Sequence, residues 1–339
     1  FEDIIAFDHL KGTALVISNV NVNHDSDMEA QFETAHRRID ILGELLHTDI
    51  DYQTPVKVAQ SKVLSNLGQN TFEAAVLKAK EYIRDGEIFQ LVLSQRFQRQ
   101  TTVMPETLYR ALRTINPSPY MFHLKFIDFD IIGASPELLV KVDDGTVEIR
   151  PIAGTRHRGN TEAEDLALAE NLINDEKECA EHLMLLDLGR NDVGRVSEFG
   201  SVTVPENMVI ENYSHVMHIV SDVKGELAND KDSFDALMSG FPAGTVTGAP
   251  KIRAMEIIHE LEPDRRDVYS GAVGYFDFAG NVNTCIAIRT MIMKDQTVYF
   301  QSGAGVVHDS DPTKEYEETV NKAKAVMAAI DFAENGLTA

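Results

Sequence analysis

Apolar and polar positions follow two rhythms along this chain, and the rhythm changes often. Across residues 71–84, Phe, Ala, Val, Tyr and Ile recur at helical spacing between Glu and Lys. Thr71 and Glu73 suit a helix start, and Gly86 closes it. Further helices are expected at 26–46, 161–188 (one long charged helix), 232–238, 249–261 and 311–333. Strand-like apolar runs lie within 1–19 (two short strands) and at 88–97, 120–127, 131–142, 147–151, 209–223, 271–278, 284–293 and 297–303. The stretch 51–69 is polar and irregular and marks the best domain boundary. Strands and helices mix without strict βαβ alternation, so an α+β fold is expected rather than a doubly wound sheet.

Composition narrows the function. The chain has 339 residues, enough for one large domain or two ordinary ones. Lys and Arg number 31 against 54 Asp and Glu, a net charge of −23, which argues against a nucleic-acid partner. A small anionic substrate needs only local positive charge and stays open. The two cysteines, Cys179 and Cys285, do not make a disulfide framework, which suits a reducing cytoplasm. No apolar run approaches the ~20 residues of a membrane-spanning helix, and a signal peptide is not expected. The first residue is Phe1, already in a strand-like run, so a segment N-terminal to it is expected to be missing.

Two places carry paired carboxylates. Glu178 and Glu181 stand three apart within one expected helix, and Glu315 and Glu318 repeat that spacing near the start of the last one. Each pair therefore faces one side of its helix. Brought together, the pairs would repel strongly, and a divalent cation would relieve them; all-oxygen ligation suits Mg²⁺. Taken alone, each pair reads first as an ordinary solvated helix face, and only the rest of the sequence favours the metal. Glycine-rich stretches at 151–155, 240–251 and 301–306 let backbone N–H groups approach an anion. The second opens a helix, a good anion site, but its spacing departs from a P-loop, and Ala249-Pro250-Lys251 replaces Gly-Lys-Ser/Thr.

Taken in order, these segments resemble the chorismate-utilising enzymes over roughly residues 71–329. The resemblance rests on Gly86-Glu87-Ile88-Phe89-Gln90, Gly133-Ala134-Ser135-Pro136-Glu137, Pro151-Ile152-Ala153-Gly154-Thr155-Arg156, Glu178-x-x-Glu181-His182 and Asp187-Leu188-Gly189-Arg190-Asn191-Asp192. It continues through Ser214-His215-Val216-Met217-His218, Gly248-Ala249-Pro250-Lys251 and Ser302-Gly303-Ala304-Gly305 to Glu315-x-x-Glu318-x-x-x-Lys322. It implies two large packed antiparallel β-sheets flanked by helices. Residues 1–55 would be the remnant of an N-terminal region, and 56–339 the chorismate-binding catalytic domain. By resemblance, Glu178, Glu181, Glu315 and Glu318 form a Mg²⁺ site for the ring carboxylate of chorismate. Arg289, Tyr269 and the backbone of Gly303 and Gly305 match positions that hold the pyruvyl carboxylate. Thr245 and Lys322 match further substrate-facing positions. Glu137 matches the general acid that protonates the departing C4 hydroxyl, and His218 the histidine near the departing pyruvyl group.

Two positions discriminate within the family. Members that add water carry a lysine base where this chain has Gln90, and many aminodeoxychorismate synthases carry a lysine where it has Ala153. Both point to the anthranilate synthase type: a carbon–oxygen lyase of tryptophan biosynthesis that aminates chorismate at C2. The alternatives are C4 amination, or a non-catalytic tryptophan-binding protein of the same fold. Asn116, Pro117, Ser118, Tyr120 and Met121 match a segment shaping a tryptophan inhibitor site, here expected to be incomplete. Neither cysteine sits in a nucleophile elbow, so ammonia is expected from a separate glutamine amidotransferase subunit.

Overall fold

In the computed structural model, which describes residues 1–49, 56–213 and 216–338, the strands collect into a hairpin and two seven-stranded sheets, all antiparallel. The chain divides into two units, Phe1–Thr54 and Pro55–Ala339. In the first, β1 (Asp3–Asp8) pairs with β2 (Thr13–Ser18), and α1 (Met28–Leu46) starts where the Asp27 side chain accepts the N–H groups of Glu29 and Ala30.

The second unit begins with β3 (Leu64–Ser65), α2 (Gln69–Arg84), β4 (Gln90–Gln100), α3 (Pro105–Ile115), β5 (Tyr120–Lys125) and β6 (Asp130–Ser135). Next come β7 (Leu138–Asp143), β8 (Thr146–Ile149), β9 (Ile152–His157), α4 (Glu162–Ile173), α5 (Glu176–Gly194), β10 (Thr203–Asn212) and β11 (Val216–Glu226). The chain closes with α6 (Ser233–Gly240), α7 (Gly244–Thr247), β12 (Gly248–Ala249), α8 (Lys251–Leu261), β13 (Ala272–Phe276), β14 (Val282–Ile286), β15 (Thr290–Lys294), β16 (Thr297–Val306) and α9 (Pro312–Glu334). One sheet has the order β10-β11-β8-β7-β14-β13, with β9 also on β11. The other runs β12-β4-β16-β15-β6-β5, with β3 on β4. This is the α+β architecture of two large antiparallel sheets flanked by helices.

Period-two alternation sets the faces of the second sheet. Leu93, Phe97, Val298 and Phe300 are buried on the side covered by helices, where Phe97 and Phe300 pack with Leu108 and Leu112 of α3 and Ala323, Val326 and Ile330 of α9. Leu91 and Leu93 meet Phe72 and Val76 of α2 and Ala254 and Ile257 of α8. The opposite face therefore carries Gln90, Val92 and Ser94 of β4 beside Gln301, Gly303 and Gly305 of β16. In the first sheet Val140, Val147, Val223 and Val282 pack on Leu186 and Val193 of α5 and Ala236 of α6.

Four expectations need correction. The single helix over 161–188 is two helices, because Asp175 accepts the N–H groups of Lys177 and Glu178 and so starts a new one. The run 131–142 is two strands in different sheets, broken at Pro136, which has no N–H for a ladder. The run 209–223 is the end of β10 and the start of β11, paired as a hairpin; Ser214 and His215 lie outside the described residues. The run 284–293 is two strands in different sheets, β14 and β15, because residues 287–289 leave both ladders and Arg289 takes a left-handed φ of 51°. Helix α3 was not expected at all, although its apolar residues line up on one face.

The far end of α9 is held by charge. Arg99 of β4 is buried and donates to Asp331 (2.6 Å) and to the fully buried Glu334. Arg99→Met removes the cation and leaves that carboxylate buried and unpaired. The expected loss is about 3–5 kcal/mol in a urea titration at pH 7. It should shrink in acid, where Glu334, already raised by burial, takes a proton.

Candidate active site

The chain crosses between the sheets at two adjacent places, from β6 to β7 and from β14 to β15. Normal ladder bonds stop there, and cross-stitching replaces them. Ser135 Oγ donates to the Ile286 carbonyl (2.6 Å), Ile286 N–H donates to the Glu137 carbonyl (3.0 Å), and Ala134 N–H donates to the Arg289 carbonyl (3.2 Å). Glu137 and Arg289 are the side chains of these crossings, and Arg289 takes a left-handed φ of 51°. Burial pushes the Glu137 carboxyl up to about 7, opposed by the nearby Thr245 hydroxyl and the charges of Lys322 and Arg289. Thr245 Oγ1 is buried without a hydrogen bond of normal length. Burial likewise lowers the Arg289 pKa, and among the described residues its guanidinium has no ion-pair or hydrogen-bond partner. Tyr269 lies within Coulombic range of both, and burial pushes its hydroxyl up to about 12.

Gly303 and Gly305 form the floor. A Cβ at Gly303 would lie 2.9 Å from both Tyr269 Oη and the Leu93 carbonyl, and one at Gly305 would lie 2.8 Å from Gln90 Nε2. Only glycine lets those groups come so close. Lys322 Nζ donates to the Gly303 carbonyl (3.0 Å) and pairs with Glu318 one turn earlier on α9 (2.7 Å).

His218 lies on β11 opposite Thr155 of β9, next to a register shift. The Gly154 carbonyl accepts from Nδ1 (2.9 Å), with Thr155 Oγ1 3.1 Å away. That bond places the proton on Nδ1 and leaves Nε2 as the free acceptor. Burial first, and then Arg289 and Lys322, lower its pKa, so the ring is neutral at pH 7. The Tyr213 ring stands edge-on to it with centroids 5.5 Å apart.

The four glutamates share one electrostatic field. Burial raises Glu181, helped by the carboxylates of Glu178 and Glu318; burial and Glu318 raise Glu315. Each has a protein partner. Glu181 Oε1 accepts from Gln90 Nε2 (2.7 Å), Glu178 accepts from Arg156 (3.1 Å), Glu318 pairs with Lys322, and Glu315 takes a hydrogen bond from Ser310. Among the described residues no three His, Cys, Asp or Glu side chains converge into a ready cage. The set still fits a divalent cation in chemistry. It is all oxygen, mutually repelling and partly desolvated, and Mg²⁺ fills most of its coordination with water. Gln90 Oε1 is also buried without a partner.

Arg156, Tyr213 and Arg266 were missed from sequence. Arg156 bridges Glu178 and Asp175; it ends the Pro151–Arg156 motif but reads as an ordinary strand-end cation. The inhibitor-like segment gathers elsewhere, at the end of α3 and the start of β5. Asn116 caps α3, Ser118 bonds to its carbonyl, and Met121 joins the core under α3 and α9. Tyr120 is half-buried, its hydroxyl pushed up to about 12 by burial and by the neighbouring Cys285 and Glu148.

The raised Glu137 predicts a pH-dependent stability. Its folded pKa of about 7 lies above its ordinary 4.5. The stability it contributes is therefore full below 4.5 and lost as pH rises through 7. Such a shift is worth up to about 3 kcal/mol. Glu137→Gln should raise the urea midpoint over the parent at pH 8 and leave it almost unchanged at pH 5. An equal gain at both would contradict the buried charge.

A profile of the chorismate binding enzyme family matches residues 1–328. The chain is 53% identical to anthranilate synthase component 1 of Acetivibrio thermocellus, covering 98% of this chain and 68% of that one. To the same component of Aquifex aeolicus it is 58% identical, covering 80% of this chain and 55% of that one. It thus spans between about half and two thirds of the length of these curated relatives. The crystal structure of anthranilate synthase component I from Streptococcus pneumoniae TIGR4 superposes with a TM-score of 0.86 at 44% identity, over 96% of this chain and 72% of that one. A menaquinone-specific isochorismate synthase from Escherichia coli shares the fold, with a TM-score of 0.82 at 21% identity over 94% of this chain and 72% of that one. On the family match and these identities, the chain belongs to the chorismate binding enzymes.

Proposed function

We propose that this site makes anthranilate from chorismate and ammonia. The observation that carries the reading is the juxtaposition, at the crossings between the sheets, of a desolvated Arg289 that has no ion pair among the described residues with a Glu137 whose pKa is about 7. A buried unpaired cation is costly. A substrate carboxylate would supply its partner, with the Tyr269 hydroxyl and the backbone of Gly303 and Gly305 as further donors. That anion would also neutralise the charge holding Glu137 down, so substrate binding would favour the protonated acid.

The chemistry then balances. Ammonia bonds to C2, both ring double bonds shift, and the C4–O bond breaks as Glu137 gives its proton to the leaving hydroxyl, which departs as water; the new C2 ammonium gives up a proton to become the amine. His218 takes the C2 proton at Nε2. The electron pair left at C2 forms the last ring double bond as the C3–O bond breaks, and the departing enolpyruvate takes a proton at its methylene carbon to become pyruvate, leaving an aromatic ring. A Mg²⁺ ion held by Glu178, Glu181, Glu315 and Glu318 would orient the ring carboxylate and take up charge. Gln90 cannot serve as a base for water, and ammonia, already nucleophilic, needs none. The relatives named as anthranilate synthase component 1 support this choice. Ammonia would come from a glutamine amidotransferase subunit. Asn116 to Met121 would contribute to a tryptophan site.

The test mixes the chain with chorismate, Mg²⁺ and ammonium at alkaline pH and follows anthranilate fluorescence. Product should form and vanish with a chelator. Glu178→Gln, Glu315→Gln and Glu137→Gln should each lower turnover more than about 100-fold while the protein stays folded. Chorismate consumed to an aminodeoxychorismate or hydroxylated product instead would overturn the C2 amination. Near-normal activity in both metal-site variants would overturn the cation assignment.

A further inference from the structure

The free edge of β4 is finished by side chains rather than by a strand. Strand β12 pairs only with Gln90 and Leu91, and β3 only with Phe97 and Gln98. Between them, Asn66 pairs with both backbone groups of Arg96. Two further groups, the Val92 carbonyl and the Ser94 N–H, are taken by one ion pair at the end of α8. Arg266 Nη2 donates to the Val92 carbonyl (2.7 Å), and Glu262 Oε1 accepts from Ser94 N–H (2.8 Å) and Ser94 Oγ (2.7 Å).

Arg266 reaches further. Its Nη1 donates to the Val246 carbonyl, directly after Thr245 (2.6 Å), its Nε and Nη2 grip Glu262 (2.9 and 2.6 Å), and its guanidinium lies 5.4 Å from the centre of the Tyr269 ring. The side chains of Arg266 and Glu262 are 13% and 5% exposed, so water does not substitute for these bonds. One planar fork thus fastens three pieces: the turn carrying Thr245, the Tyr269 ring, and the strand beside Gly303, where Val92 Cγ1 lies 3.0 Å from where a Cβ at Gly303 would stand.

We propose that Arg266, held by Glu262, is the positioning residue for the carboxylate-binding wall of the site. It rests on the chorismate reading above. It fixes Tyr269 and Thr245 against the floor of β4 and β16, and it polarises the Tyr269 hydroxyl as a donor through the ring. The acidic pairs lie on α5 and α9 and make no contact with it. Its loss should therefore weaken the hold on chorismate without weakening the response to Mg²⁺. Lysine cannot replace it, since one ammonium keeps the charge but not the fork.

Arg266→Lys and Arg266→Met are compared with the parent in three measurements: chorismate affinity by calorimetry with Mg²⁺ and no ammonia, steady-state kinetics with ammonium, and the Tyr269 ring resonance of substrate-free, tyrosine-labelled protein, assigned with Tyr269→Phe. Both variants should move the Tyr269 resonance. They should raise KM and the chorismate Kd roughly 10-fold or more, with a smaller change in kcat and an unchanged Mg²⁺ activation midpoint. An unmoved resonance, an unchanged KM, or parallel losses in KM, kcat and Mg²⁺ response would overturn the positioning role. If the parent binds chorismate but makes no anthranilate, while Arg266→Met weakens binding, the reaction falls and the positioning role stands. If the parent binds no chorismate, both fall.

Discussion

Everything in the site depends on two charged side chains buried where neighbouring strands change sheets. A strand interior consumes its backbone groups in ladders and leaves no room for a ligand. At the crossings the ladders stop, and Ser135, Ile286 and Ala134 tie the two segments to each other instead. That tie holds Glu137 and Arg289 side by side in a poorly solvated gap. Among the described residues neither makes an ion pair, so both remain responsive to whatever enters. Lys322, Thr245 and Tyr269 arrive from three other elements and tune the pair.

Much of this was readable from the order of motifs, and some was not. The Glu-x-x-Glu spacings give helix faces directly, and both pairs do fall in one field. The strand runs around β4, β5 and β16 were also legible, because alternation on a half-covered sheet is a local property. Where the chain turns without a glycine or a run of polar residues, sequence is silent. The break at Asp175 depends on a side-chain cap inside a charged stretch, and α3 opens on Pro105 without a side-chain cap at Met104 to announce it. Arg266 lies in Glu-Pro-Asp-Arg-Arg, which looks like a solvated surface; nothing local says that its fork meets the carbonyls of Val92 and Val246, 174 and 20 residues away.

Charge is divided by element. The leading carboxylate of each pair, Glu178 and Glu315, rides on the first turn of its helix, where the dipole favours it, while Arg289 comes from a strand connection. A chain of net charge −23 repels anions at long range. Beyond roughly 8 Å physiological salt screens that repulsion, whereas an unpaired guanidinium within the site acts at contact distance. Recognition of an anion is therefore a short-range affair here, owed to a few groups rather than to the field of the whole molecule.

Helix α9 joins both ends of this arrangement. Its first two turns bear Glu315 and Glu318, its third Lys322, and its last is clamped by Arg99 through Asp331 and Glu334. A helix of 23 residues is about 35 Å long. Taken as a rigid rod pivoting at the clamp, it would carry the acidic end roughly half an ångström for each degree of tilt. The clamp on β4 is thus an alignment device for carboxylates some thirty ångströms away, and a surface change near residue 334 would be felt first as a misplaced glutamate.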